Sequence, residues 1–289
     1  MRFVHTTLGW ALVAVLAAWF VLFACAPRAW GAGIVNVDAR ARVAYVGTTH
    51  GGLQWAGTVN DPALGNGGLL ATFARAAGGY RGTATIVDPS GSLTATVRVT
   101  VRLEGHLVRF GVTADVTGAT GRFTGARGTL TGSALVTATV PVGTLRLHGT
   151  LHGASGRAPV TLSGAGVRHV DGRFLGAVLS LSRSGVETVV GSAIGLLPGP
   201  AVLVAHERAT RTSAHGTLTV FAAGGVLTGT FDIRFPGSSQ VRFETGTWTL
   251  SGGSGDLSGA HSTPVIALRG TRDLRRELIA LRTRGALQL

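Results

Sequence analysis

An all-β protein is the architecture this sequence predicts, built as two tandem, antiparallel, eight-stranded barrel-like units behind an N-terminal signal or anchor segment. Three observations predict it. The chain matches itself at a shift of 134 residues, its apolar residues alternate with a period of two, and its short apolar runs are separated by Gly- and Pro-rich turns.

Met1-Arg2 precedes an uncharged, mainly apolar run at 8–26, followed by Pro27, Arg28 and small residues around Ala29 and Gly31 where a signal peptidase could cut. The same run is long enough to cross a bilayer uncut. Residues 1–31 are therefore expected as a signal peptide or a membrane anchor, and either places the rest of the chain outside the cytoplasm, secreted or membrane-anchored. Cys25 is the single cysteine. It closes Leu22-Phe23-Ala24-Cys25, which resembles a bacterial lipobox and makes Cys25 the lipidation candidate; the plainer alternative is a cysteine that happens to lie in a signal core. Downstream of it there is no thiol, hence no internal disulfide, and stability must come from packing and ladder hydrogen bonds.

The remainder divides into a first unit at 34–165 and a second, diverged unit at 166–289. With 289 residues and 45% apolar content, the chain can furnish a core for each. The self-match lays 82–87 on 216–221, then 93–97 on 227–231, then 117–121 on 251–255, without a gap. Within the units the run 93–103 alternates apolar residues with Thr or Arg, the pattern of a strand with one face in a core and one in solvent. Similar runs at 80–87, 107–116, 128–140, 145–151, 174–181, 216–221 and 247–250 are read as strands. Turn signals such as Asp88-Pro89-Ser90-Gly91 and Pro236-Gly237 separate them. Many short strands joined by tight turns form a meander, and closing it into a barrel removes its exposed edges. The stretch 189–205 is largely apolar and uncharged but broken by Pro198-Gly199-Pro200, which predicts two buried strands around a turn. At the end of the chain Leu274, Leu278 and Leu281 stand at helical spacing among arginines, which predicts a basic amphipathic helix capping the second barrel or lying on a membrane surface.

The formal net charge is +13, and all 26 basic residues are arginine. With abundant Ala, Gly and Val and scarce Met and Tyr, this is the bias that a GC-rich coding sequence imposes. No basic cluster interleaved with aromatics occurs, so specific nucleic-acid binding is not expected. On electrostatics alone, an anionic envelope polymer or a membrane surface is the better-matched partner.

Residues Gly118-Ala119-Thr120-Gly121-Arg122-Phe123-Thr124-Gly125-Ala126-Arg127-Gly128 resemble the G-G-T-G-x-F-x-x-A-x-G signature of the allene oxide cyclase and dirigent barrel superfamily. Gly252-Gly253-Ser254-Gly255-Asp256-Leu257-Ser258-Gly259-Ala260 is a decayed second copy, and Gly65-Asn66-Gly67-Gly68 with Gly82-Thr83-Ala84-Thr85 is similar to bacterial members. The resemblance covers most of 50–152 and, more faintly, 210–270. It implies an eight-stranded barrel with an internal cavity, which in plant relatives steers coupling or cyclisation of small apolar molecules. It further implies an acidic residue after the second glycine pair and an arginine before the last glycine. This chain splits that pair: Arg127 accompanies Arg122 in the first copy, and Asp256 accompanies His261 in the second.

A search for other chemistry returns little. No Gly-x-Ser-x-Gly elbow, His-Glu-x-x-His or phosphate-binding loop with lysine is present. His148 and His152, four apart in a strand, are separated by about 13 Å, too far to share a metal. His206-Glu207 and His215 could meet across a hairpin, where charge beside an apolar cavity would move protons or anchor a ligand. Trp55 and Trp248 fall in strand-like segments and serve either as cavity lining or as core. The ligand-cavity candidates are thus Arg127, Asp256, His261, Trp55 and Trp248; no metal and no cofactor are expected. The expected function is a noncatalytic exported protein of the envelope or secreted space that binds a small apolar ligand or acts as an interaction scaffold. The alternative is a dirigent-like or cyclase-like catalyst acting on a small apolar molecule.

Overall fold

Alternation of burial along nearly every strand organises the computed structural model, which describes residues 33–49, 52–105, 107–137, 141–154, 166–237, 239–263 and 265–289. The expected leader at 1–31, with Cys25, lies outside the described residues. β1 (Gly33–Thr49), β2 (Gly52–Asp61), β3 (Gly65–Ala76), β4 (Gly79–Asp88), β5 (Gly91–Glu104), β6 (Leu107–Gly121), β7 (Arg127–Thr137) and β8 (Val142–Ala154) pair in sequence order, antiparallel throughout. β1 also pairs with β8, so the first sheet closes into an eight-stranded barrel.

The second unit repeats the plan with β9 (Val167–Leu181), β10 (Val186–Ile194), β11 (Ala201–Ala209), β12 (Ser213–Ala222), β13 (Gly225–Arg234) and β14 (Val241–Gly255). The two-residue β15 (His261–Ser262), β16 (Ile266–Asp273) and β17 (Leu278–Gln288) complete it. β14 pairs with β16, β16 with β17, and β17 with β9, which closes a second barrel and leaves β15 outside the ring. The repeat extends to element ends: β4 and β12, like β6 and β14, start and stop 134 residues apart.

The C-terminal segment corrects the helix expectation. Residues 272–284 run through β16, a turn at Leu274–Glu277 and β17. Ile279, Leu281 and Thr283 point into the barrel at strand spacing while Ala280, Arg282 and Arg284 point out. The helical reading satisfied only the leucines. A strand here satisfies hydrogen bonds on two sides, because without β17 both β9 and β16 would present bare edges. Asp273 starts the turn, its Oδ1 accepting the amides of Arg275 and Arg276 at 2.9 and 3.2 Å. Glu277 takes a left-handed φ of 56° to finish it.

The uncharged stretch at 189–205 does form two strands around the Pro-Gly-Pro turn, and the structure explains its lost alternation. Both faces are covered. Val189, Leu203 and Ala205 face the second barrel's interior, whereas Val190, Val202 and Val204 pack outward on the first barrel.

Each barrel has its own core. A third apolar cluster joins Ala44, Val46, Ala56 and Val87 of the first barrel to Ala177, Leu179, Val190, Val202 and Val204 of the second. Contact is close enough that a Cβ on Gly68 would come within 2.4 Å of Val202 Cβ. At the edge of this cluster the buried Ser192 hydroxyl donates to Gln54 Oε1 at 3.2 Å.

Candidate functional site

The glycine motif builds a floor for each barrel. After β6 the chain turns through Arg122–Ala126 with Gly121 at φ 60° and Gly125 at φ 86°, and after β14 the same turn has Gly255 at φ 65° and Gly259 at φ 83°. A side chain at Gly121 would also place its Cβ 2.0 Å from the Ser90 carbonyl oxygen, so conformation and space both demand glycine. Each turn aims one apolar residue inward, Phe123 or Leu257, and both are fully buried. Beneath Phe123, Arg122 donates to the Asp88 carboxylate and to the Leu64 carbonyl. Burial pushes the Asp88 carboxyl above its ordinary value even though Arg122 pulls the other way.

At the opposite end of the first barrel lies a cavity of about 140 Å³. Its walls are apolar, formed by the inward residues of all eight strands, among them Leu53, Trp55, Phe73, Tyr80, Phe110 and Val136. Trp55 meets Tyr45 and Phe110 edge to face, with ring centroids at 6.0 and 6.4 Å. Leu53, Phe73, Tyr80 and Phe110 are only half-buried and form the rim beside the β1–β2, β3–β4 and β5–β6 turns. Walls this apolar favour a hydrocarbon guest over water, and the volume has room for a single aromatic ring or short alkyl group.

The second barrel fills the same place differently. Val97 and Ala114, displaced by 134 residues, are Phe231 and Trp248. Trp248 is buried and packs edge to face on Phe174 at 6.2 Å, leaving a residual space of about 20 Å³. Three rim residues change character at the same displacement: Leu53, Phe73 and Phe110 become Glu187, Glu207 and Glu244. Val136 faces Val108 across β6–β7, and Arg272 faces Arg242, the counterpart of Val108, across β14–β16. Arg272 thus occupies the position of Val136.

These four residues meet. The Arg272 guanidinium donates from Nε to Glu244 and from Nη2 to Glu207, both at 2.6 Å, and from Nη1 to Glu187 at 3.2 Å. The buried Phe235 ring lies 5.5 Å from its centre, a cation–π contact. Desolvation, opposed by Arg272 and aided by Glu187, pushes the Glu207 carboxyl up to about 7, and Glu244 is raised for the same first reason. Burial works against the Arg272 charge, yet Glu207 and Glu244 outweigh it and hold its pKa above the ordinary value. Glu244 Oε2 is buried without a hydrogen-bond partner among the described residues.

Comparison with protein-family models and with characterised proteins gives no match. The geometry alone must therefore identify the site.

Of the residues singled out from sequence, Trp55 lies on the cavity wall, while Trp248 is the plug of the other barrel. Arg127 and His261 are exposed at strand starts at the floor end, and Asp256 sits in the floor turn, so none of the three lines the cavity. The first barrel does hold a buried ion pair at its floor, Asp88 with Arg122, which is not the pair that the resemblance implies; in the second, Ala222 and Asp256 stand at those positions. His206 and His215 point outward on either side of the inward Glu207 and do not meet it. His148 is likewise on the outer face, beside Thr131. Sequence reasoning singled out Glu207 but with His206 and His215 as its partners, and missed Phe73, Phe110 and the grouping of Glu207 with Arg272, Glu187 and Glu244. The 134-residue shift carried the signal, since three apolar positions in one copy are glutamates in the other.

Proposed function

We propose that this is a noncatalytic, extracytoplasmic binding protein, a diverged relative of the allene oxide cyclase and dirigent barrels, whose first barrel holds a small apolar ligand or the apolar part of one. The observation that carries the proposal is the contrast between two barrels of one plan. Where the second is plugged by Trp248 and Phe231 and tied across by Arg272, the first keeps Ala114, Val97 and Val136 and with them an apolar cavity. The Tyr80 hydroxyl and the Trp55 indole are the polar groups its wall residues can offer, which suits retention of a ligand better than its conversion.

Transplanting the plug tests this. In Ala114→Trp the first barrel receives the residue that the second barrel already accommodates at the same place. The purified protein should remain folded and lose at least about tenfold in affinity for a fluorescent apolar probe, equivalent to about 1.4 kcal/mol. The matching change in the other barrel, Trp248→Ala, should leave probe binding by the first barrel unchanged. Equal probe binding by wild type and Ala114→Trp would place the ligand site elsewhere.

A further inference from the structure

A second concavity lies between the barrels and has the opposite chemistry. Its volume is about 900 Å³, at the upper end for a ligand site. One wall is the outer face of β7, β8, β1, β2 and β3, and the other is the outer face of β9 to β12. The β-ladders align a row of side chains across the first wall: Ser133 opposite Arg146, Arg146 opposite Arg40, Arg40 opposite Asn60, and Asn60 opposite Asn66. In the adjacent row Arg42 faces Thr144 and reaches across to the Leu179 carbonyl of the second barrel at 3.4 Å.

Two features of this row call for an external partner. Arg40 and Arg146 are directly opposed like charges, an arrangement that costs stability. Neither makes an ion pair among the described residues, and no Asp or Glu lines the groove. Arginines also face one another elsewhere in the ladders, Arg81 with Arg98, Arg102 with Arg109, and Arg282 with Arg173 and Arg269, but there one member has a carboxylate: Arg98 pairs with Asp115, Arg109 with Glu104 and Arg282 with Asp171. The groove therefore concentrates guanidinium charge on a lining without carboxylates, where a bound anion is met from several sides.

We propose that the interbarrel groove binds an anionic glycan, with Arg40, Arg146 and Arg42 taking its carboxylate or phosphate groups and the neighbouring amides and hydroxyls taking its sugar hydroxyls. Asn60 and Asn66 are exposed on the first wall, and Thr188 and His206, hydrogen-bonded to each other, stand on the second. The floor contributes apolar surface from the half-buried Phe221, against which a sugar ring can lie. Phe221 is the one Phe, Tyr or Trp lining the groove among the described residues, so the succession of stacking platforms that single-stranded nucleic acid uses is missing. The proposal does not rest on the apolar cavity, which opens inside the first barrel and shares with the groove only residues of the intervening wall.

Calorimetric titration of the full chain with a uronic-acid hexamer, a glycerol-phosphate oligomer, a neutral glucose hexamer and a short oligothymidylate tests it. Binding of at least one anionic probe, weakened about tenfold or more in Arg40→Ser/Arg146→Ser, is the expected result, and the tighter of the two probes identifies carboxylate or phosphate. Since that double variant removes a like-charge opposition, its melting temperature should be equal to or above that of the wild type, which separates lost binding from lost folding. Arg234→Ser/Arg269→Ser removes the same charge from exposed sites on the second barrel outside the groove. An equal loss in that control, equal affinity for the neutral hexamer, tighter binding of the oligothymidylate, or no binding of either anionic probe would each overturn the proposal.

Discussion

Arg272 and its glutamates are costly to desolvate, because three carboxylates surround one guanidinium and Arg272, Glu207 and Glu244 are buried. Removing the cation leaves the carboxylates buried without compensation. Arg272→Met is expected to destabilise by about 3–5 kcal/mol at neutral pH. The loss should shrink at pH 4, where Glu207 and Glu244, both raised by burial, carry protons, and denaturant melts at the two pH values would measure the difference. Glu207 has a folded pKa near 7, above the ordinary glutamate value of 4.5. A carboxyl raised on folding contributes stability that is present in full below the unfolded pKa and is lost as pH climbs through the folded one. Glu244 and Asp88 are shifted in the same direction. Glu104 and Asp171, lowered by their exposed arginine partners, titrate below this window and do not offset it. The melting temperature should therefore fall between pH 5 and pH 8, and Glu207→Gln should flatten the slope. An unchanged slope in that variant would assign the proton to another group.

At the scale of elements, the floor turns show how much one inward side chain contributes. Phe123→Ala removes a fully buried ring from a turn whose glycines hold it in place, and a loss of about 3–5 kcal/mol is expected, measured by chemical denaturation. Leu257→Ala should cost about 2–5 kcal/mol in the second barrel by the same cause. These turns were legible in the sequence because a left-handed backbone leaves a glycine at a fixed distance from the residue it presents. The half-buried strands were legible too: in β5, Leu93, Ala95, Val97 and Val99 face inward between Thr94, Thr96 and Arg98. The pairing of β16 with β17 was not, since whether 278–288 becomes helix or strand is decided by the bare edges of β9 and β16, the first of which lies far away in sequence. The cavity was only partly legible. An aromatic residue in a strand does not declare which face it occupies, so Trp55 and Trp248 looked equivalent, and only the closed ladders place one on a cavity wall and the other in a core.

For the molecule as a whole, the question is whether two barrels of one plan behave as one cooperative body. Their outer faces share an apolar cluster, and Gly68 is a point of close approach, since no Cβ fits there beside Val202. Buried apolar surface between domains couples their unfolding, whereas a polar interface would leave them independent. Wild-type protein should thus give a single calorimetric transition. Gly68→Val inserts three carbons where the gap to Val202 admits none, forcing the outer faces apart without touching the inward residues of either barrel. Two separate transitions should appear in this variant. Probe binding in the first barrel should persist, because the cavity is built entirely from that barrel's own strands, while affinity for an anionic glycan should fall, because one wall of the groove has moved. A single transition at the wild-type temperature would mean that the barrels are joined by something other than this cluster. Loss of both binding activities would mean that the cavity depends on its neighbour, and the division of labour between an open barrel and a plugged one would have to be abandoned.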